Sequence, residues 1–464
     1  MTRRGSRVSI PRVLNQAITL LPVVLRRIAR RATDRWNDFR GYTPTDRNLF
    51  YLCIEILPAG IAGGMVSFNA PFVLKLGGAD TLIGLMLSLP ALASIVFSIL
   101  FGQFMERKTN RKPYMIGGLA VARMIFLVIG IVPWVVPLEL QPGTIVALAV
   151  LQAIPVALFN AGWLSLLADI CPPDRRSSFF SMRWFLLAVT VGTSAFLSGL
   201  WLEAVPFPFN YQSLNILACL ICQYSTYLVS LPIYPEYKVQ IRPAKTEAAA
   251  ATPRRLPFDW RSLRNFTQSN RGFVNINLSV LITFLGVWGA APLLTLFFVN
   301  TLNLSEGWLG TNSFLSQAGV AVGALAGSAI LRRVNNNWLL KRVLLVFWLY
   351  PLIIVLVPIP WVIWVVSFIC LALDPILNVT LLNALYDLIP EQRRSSWMSS
   401  HVALMNVGAM VAPLLTVEIA NSLSVQTALI ACAAIRLIGI AMFFLLPFNA
   451  PVANSQQPAT TSAP

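Results

Sequence analysis

Apolar residues fall in blocks of about 20 over most of the chain, parted by short polar stretches. A helix of about 20 residues, rising 1.5 Å per residue, crosses a hydrocarbon layer of about 30 Å. The pattern predicts twelve spanning helices, at approximately 49–74, 82–104, 114–136, 144–168, 180–201, 212–233, 273–299, 309–331, 338–358, 361–386, 398–420 and 426–447. Connections are short, except for 234–272, a basic stretch with Pro and Ala that reads as a flexible linker between two six-helix halves, 49–233 and 273–447. The tail 448–464 is uncharged, rich in Pro, Ala, Ser, Thr and Gln, and predicts disorder. The arm 1–48 mixes apolar residues with arginines and predicts an interfacial amphipathic helix or a basic arm on anionic lipid; a transit peptide is the alternative.

The two halves share a sequence element. Asp169-Ile-Cys-Pro-Pro-Asp-Arg175-Arg176-Ser-Ser-Phe-Phe-Ser181 returns 218 positions later as Asp387-Leu-Ile-Pro-Glu-Gln-Arg393-Arg394-Ser-Ser-Trp-Met-Ser399, with seven identities and no gap. Unrelated windows of this length share about one residue at average composition. Each copy lies between apolar blocks, so each is a loop between two spans. The chain therefore reads as an internally duplicated, all-α membrane protein, an architecture on which many solute carriers are built.

Composition agrees. The hydrophobic fraction is 56 % and the charged fraction 11 %, where a soluble protein carries roughly twice that charge. Net charge is +17, which in a soluble chain would point to nucleic acid. Here 32 of the 35 Lys and Arg fall in segments assigned to one side, and the opposite-side loops hold only Lys75. This is the topology signal of the positive-inside rule. It excludes nucleic acid as a partner, places both termini in the cytoplasm and assigns the chain to the plasma (inner) membrane. Six spans between the duplicated loops put them on one side, so the halves are related by an axis along the membrane normal. The six cysteines lie mostly in apolar spans, and Cys219-Leu-Ile-Cys222 has neither a second pair nor a neighbouring His, so the reading is packing, without metal or cofactor.

The loop after the second span reads Gly102-Gln-Phe-Met-Glu106-Arg107-Lys-Thr-Asn-Arg111-Lys112-Pro, and the eighth span ends Gly327-Ser-Ala-Ile-Leu-Arg332-Arg333. With twelve spans, the duplication and the central basic linker, this resembles the major facilitator superfamily over about 49–447. Glu106 stands where the family usually has Asp, and the Gly-Pro-Gly motif of drug antiporters is missing from the fifth span. The resemblance implies a small-molecule substrate, a monomer, and a path lined by spans 1, 4, 7 and 10. It also implies that Glu106, Arg111 and Asp169 form a cluster at the cytoplasmic mouth holding the outward-open state. Gly102, Arg107, Arg175, Arg176, Asp387, Arg393 and Arg394 complete the gating loops. Asp169 and Asp387 end their helices, where the dipole disfavours an anion and a cationic partner is expected; for Arg175 and Arg176 the alternative is anchoring to lipid phosphate.

Four charges fall deep within spans, away from their ends: Glu55, Arg123, Asp374 and Arg436. Each costs about 2.5–3.5 kcal/mol on insertion scales and needs a partner or water. Counted from the cytoplasmic ends, Glu55 lies at roughly 9 Å, Arg123 at roughly 14 Å, and Asp374 and Arg436 at roughly 17–20 Å. Matched depths predict one acid–arginine pair per half. Asp374 before Pro375 also fits the N-cap of a helix restarted after a break. Asn378 follows one turn on, and its duplicate is Asn160. Trp288, near Gly289 and Pro292, offers a stacking face. His401, the only His, duplicates Arg183 and reads as an interfacial cation or a proton relay.

The function that follows is a secondary transporter of a small organic solute by alternating access, with a proton as candidate coupling ion at Asp374 or Glu55. The path residues would be Glu55, Arg123, Asn160, Trp288, Asp374, Asn378 and Arg436. A non-transporting sensor or scaffold on the same fold is the alternative. A membrane enzyme acting on lipid is a weaker one, since the loops are short and no catalytic constellation occurs.

Cysteines placed in the 234–272 linker are expected to react with an impermeant maleimide only after the membrane is permeabilised. Labelling in intact cells would overturn the twelve-span topology.

Overall fold

Proline decides where these helices bend. In the computed structural model, which describes residues 30, 33–34, 37, 43–172, 174–232, 270–331, 333–389 and 394–446, the first spanning segment runs Pro44–Lys75 (α1) in three pieces. Pro58 has no N–H for the carbonyl of Ile54, and the helix loosens at Glu55; Pro71 does the same for Ser67, and the chain turns there. Most of the arm expected at 1–48, the linker up to residue 269, and the tail at 448–464 lie outside the described residues.

The other helices are α2 (Asp80–Glu106), α3 (Lys112–Val135), α4 (Gln141–Ile170), α5 (Arg176–Ala204), α6 (Phe209–Ser230), α7 (Arg271–Leu296, extended by a π turn), α8 (Glu306–Leu331), α9 (Asn336–Leu356, bent at Trp348), α10 (Pro360–Tyr386), α11 (Arg394–Ser422) and α12 (Val425–Leu445). Eleven are long and apolar enough to cross a membrane; α8 has the length, at 26 residues. There is no strand among the described residues. The twelve-helix, all-α expectation holds.

The duplication is visible in the packing. In the first half α1 packs on α5 and α6, and α4 on α2 and α3; in the second, α7 packs on α11 and α12, and α10 on α8 and α9. The halves meet through two symmetric contacts, α5 on α8 and α2 on α11. Glycine permits the first. A Cβ on Gly199 would run into Glu306, Gly307 and Gly310, and one on Gly310 into Ala195 and Gly199. Within the second half, Gly319 and Gly323 bring α8 against the backbone of Phe368 and Ala372 on α10.

The bundle has two unlike ends. At the end bearing the Lys/Arg-rich loops, here the basic end, each half keeps its own core. One gathers Leu49, Met105, Met115, Leu166 and Phe179; the other Phe273, Leu340, Leu381 and Phe443. At the opposite end one core spans both halves, from Phe72, Ile83 and Tyr211 to Leu293, Phe297, Trp308 and Val417. The bundle is therefore closed at the end away from the basic loops.

Gly323→Val is expected to lower the Tm of the purified protein, because overpacking costs about 1–3 kcal/mol. A Cβ on Gly117 meets nothing within 4 Å, so Gly117→Ala is expected to leave Tm unchanged or slightly raised. Equal behaviour of the two variants would contradict the α8–α10 packing.

Candidate functional site: intramembrane charges and the polar faces of α4 and α10

The buried acid of the first half has an unforeseen partner. Glu55, 3 % exposed, forms an ion pair of 2.7 Å with Arg183 of α5 and accepts a hydrogen bond of 3.0 Å from Ser225 of α6. Arg183 also donates to the Leu52 carbonyl, and its guanidinium stands over the Trp163 and Phe179 rings at 5.4 and 5.7 Å. The loosened turn of α1 thus carries the acid, and α5 brings the cation. Arg183 was counted above with the loop cations, but it lies inside α5 and turns inward.

The expected pair Glu55–Arg123 does not form. Arg123 donates instead to the carbonyl of Cys222 at 2.6 Å and to the hydroxyl of Thr226 at 2.7 Å, tying α3 to α6. The expected pair Asp374–Arg436 does not form either. Arg436, 2 % exposed, points from α12 to α9, where it donates to the Phe347 carbonyl at 3.4 Å and stands over the Phe347 ring at 5.6 Å. Pro351 explains the acceptor: it has no N–H for the carbonyl four residues back, and Arg436 takes the freed lone pairs. Matched depth was a poor guide because depth says nothing of azimuth. Both arginines brace outer helix pairs, α3–α6 and α9–α12.

Asp374 does not cap a break. α10 runs through Pro375 as one helix of 27 residues. The Asp374 carboxylate accepts from the Asn378 amide at 3.1 Å, and the same amide donates to the Asp374 carbonyl at 2.9 Å. Among the described residues no Lys, Arg or His pairs with it. Its azimuth is informative. Asn378 lies nine positions from Ile369, about 180° around the helix; Asp374 is related in the same way to Val365. Ile369 and Val365 are apolar and about half exposed, as a lipid-facing stripe is. Asn378 is exposed on the other side. The duplication repeats this in α4, where exposed Leu151 and exposed Asn160 are again nine positions apart. Each of these helices has exposed apolar residues on one side and an exposed asparagine on the other.

Trp288 of α7 is half-buried beside Phe284 and covers Gly408 of α11. His401 faces inward: its Nδ1 meets the Asn277 amide oxygen at 2.7 Å, joining α11 to α7. That bridge is the counterpart of Arg183–Glu55 between α5 and α1.

The gating loops assemble only in part. Glu106 and Arg107 are exposed, and Gly102 has open space around it. Arg111 precedes α3, while its neighbour Lys112 donates to the Pro232 carbonyl at 3.2 Å and Lys108 stands over Phe104 and Tyr114. Asp169 sits in the last turn of α4, with its side chain outside the described residues, as are Arg393 and the side chain of Arg394. Arg175 forms an ion pair with Asp46, the capping-box residue of α1, and Arg176 donates to the Cys171 carbonyl at 3.1 Å. Asp387 is exposed beside Lys341 in a cleft that Ile276, Leu388 and Phe443 also line.

The closed end holds polar contacts that sequence reading missed. Glu306, at the start of α8, forms an ion pair with Lys75 of α1 and accepts from the Tyr211 hydroxyl of α6 at 3.1 Å. Glu203 of α5 accepts from the Gly307 N–H at 2.9 Å, and Asn300 donates to Asp80 at 3.1 Å. Each joins one half to the other. The available signal was Lys75 itself, the one basic residue of its side.

Glu55→Gln is expected to cost about 3–5 kcal/mol, since Arg183 would stay buried without its counter-ion. The double variant Glu55→Gln/Arg183→Gln should recover part of that loss. Additive losses in a double-mutant cycle read by thermal unfolding would contradict the pair.

No curated protein matches the sequence. Among solved structures the chain is similar to a bacterial homolog of the human lysosomal transporter Spinster in its inward-facing, unoccupied conformation, with TM-score 0.61 and 12 % identity over 87 % of this chain and 97 % of that one. The occupied, inward-facing form of that homolog gives 0.60 at 13 % identity, over 87 % and 97 %. A point mutant of the nucleoside transporter NupG gives 0.59 at 13 % identity, over 86 % and 99 %. Such identities speak for the fold alone. The sequence profile described as Major Facilitator Superfamily matches residues 52–384, well over half of the chain, and the chain belongs to that superfamily.

Proposed function

We propose that this protein is a monomeric secondary transporter of a small organic solute, working by alternating access in the plasma (inner) membrane with its basic loops in the cytoplasm. One observation carries the reading: the halves share a core and polar contacts at one end and keep separate cores at the other. Two bodies joined at one end of a membrane bundle form one state of a rocking pair. With the basic loops inside, the state is inward-facing, and the solute path runs between the polar faces of α4 and α10. Family membership supports a transporter over an enzyme.

Asp374 is the proposed protonation site. It lies on the polar face of α10, and its neighbour is a neutral amide rather than a cation. Glu55, by contrast, is paired with Arg183. The outward-open cluster of Glu106, Arg111 and Asp169 belongs to the other state of the cycle, when the basic ends close.

Lys75→Gln is expected to weaken the closed end by about 1 kcal/mol, a shift of roughly fivefold toward the outward-open state, since the pair is partly exposed. Gly84 packs on Val417 across the halves. Faster maleimide labelling of Val417→Cys from outside in the Lys75→Gln background is the expected readout; an unchanged rate would argue against alternating access at this end. Asp374→Asn keeps the shape but cannot titrate. In proteoliposomes it is expected to lose proton-driven accumulation while retaining solute exchange, and accumulation at wild-type level would move the role to Glu55.

A further inference from the structure

The charge inventory of the membrane interior is unequal between the halves. Glu55 is cancelled by Arg183. Arg123 and Arg436 are spent on carbonyls of the outer helices. Of the charges deep in the spans, what remains is the carboxylate of Asp374, held by a neutral amide on the face of α10 opposite the lipid stripe.

Among the described residues, the elements around α10 bring no counter-ion. α8 has no ionisable residue between Glu306 and its end at Leu331, and α7 none beyond Arg271. α9 brings Lys341 and Arg342, which stand over Phe444 and Trp338, and Tyr350, which bonds Ser367. An ionised carboxylate in low dielectric is costly unless a cation sits beside it. On this path the cation has to arrive from outside the protein.

We propose that the transported solute is an organic ammonium ion with an apolar body, recognised by Asp374 in competition with a proton. The proposal rests on the reading of the α10 polar face as solute path. Protonated, Asp374 is neutral and has no hold on a cation. Ionised, it takes either the proton or the ammonium group, so binding of one releases the other. Asn378 fixes the carboxylate by donating to its oxygen and leaves the second oxygen for the ligand. A bare metal ion fits poorly, since hard cations take six or more oxygen ligands. Among the described residues no group of three His, Cys, Asp or Glu gathers to hold one. An apolar body suits the walls: Leu382 follows one turn after Asn378 on α10, and the Phe159–Trp163 ring pair, 4.9 Å between centroids, flanks Asn160 on α4.

The test uses the purified full chain in nanodiscs with three probes of one shape: benzyltrimethylammonium, which cannot lose its charge, its neutral isostere neopentylbenzene, and benzenesulfonate as the anion. Calorimetric titration is expected to show binding of the ammonium probe alone, tighter by roughly tenfold at mildly basic than at mildly acidic pH. A pH dye in weak buffer is expected to report a proton released on binding. Asp374→Asn should lose both the binding, by at least about tenfold, and its pH dependence. Glu55→Gln should keep the pH dependence, and a variant that fails to fold is recognised by its thermal unfolding. Equal affinity of wild type and Asp374→Asn, preference for the neutral or anionic probe, or no binding of the ammonium probe by wild type would overturn the proposal. Failure of the transport reading looks different: wild-type proteoliposomes would show no flux of any solute across a panel, whatever the probes bind.

Discussion

Hydrocarbon offers no hydrogen bonds, so every polar group inside the membrane must be answered by the protein or by water in a path. That constraint orders the structure. Arg123 is answered by a carbonyl and a hydroxyl of α6, Arg436 by a carbonyl that Pro351 left free, and Glu55 by Arg183 and Ser225. Each answer crosses from one helix to another. The costly charges therefore serve as brackets that fix helix positions where apolar packing alone would allow sliding. Glycines then set how closely the bracketed helices approach, and at Gly199 and Gly310 they let the halves touch.

The duplication has diverged most where it is polar. Arg183 and His401 are equivalent positions, and each reaches inward to the neighbouring first helix of its half. In the first half the bridge is an ion pair; in the second it is a hydrogen bond between an imidazole and an amide. Asn160 and Asn378 have kept both identity and azimuth, whereas Val156 stands where the second half has Asp374. The first half thus resolves its charge internally, and the second carries one charge left open. Two halves of one fold thus carry different charge at equivalent places.

The sequence made the gross architecture legible because hydropathy and length report directly on the bilayer. The spans, the two halves and the polar residues of α4 and α10 were all readable at that level. The pairings were not. Glu55 was matched to Arg123 by depth, but depth is one coordinate of two, and the azimuth of Glu55 depends on the turn that Pro58 loosens. Arg183 hid among loop cations because apolarity marks helix ends only to within a few residues. Its duplicate, a lone His at the same place, was the signal. Asp374-Pro375 looked like a helix start, but in a packed bundle a proline is tolerated mid-helix, and packing on α8 and α9 carries α10 through it.

The contacts at the closed end bear on how the proposed transition away from this state would proceed. A purely apolar seal spanning both halves would be costly to open, since its whole area would meet water at once. Here the seal is rimmed by Lys75–Glu306, Tyr211–Glu306, Glu203–Gly307 and Asn300–Asp80. When the halves part, Lys75, Glu203, Asn300 and Asp80 exchange a protein partner for water at small net change, because net hydrogen-bond and exposed ion-pair energies are about 1 kcal/mol apiece, and only the Tyr211–Glu306 bond is buried. Such a rim holds the closed geometry in register without deepening the well beyond what solute binding can overcome. Stability is concentrated instead within each half, in the buried pair at Glu55 and the braces at Arg123 and Arg436, which do not cross between the halves. The division suits the proposed rocking of two bodies: desolvated polar interactions inside each, mostly water-exchangeable polar ones between them.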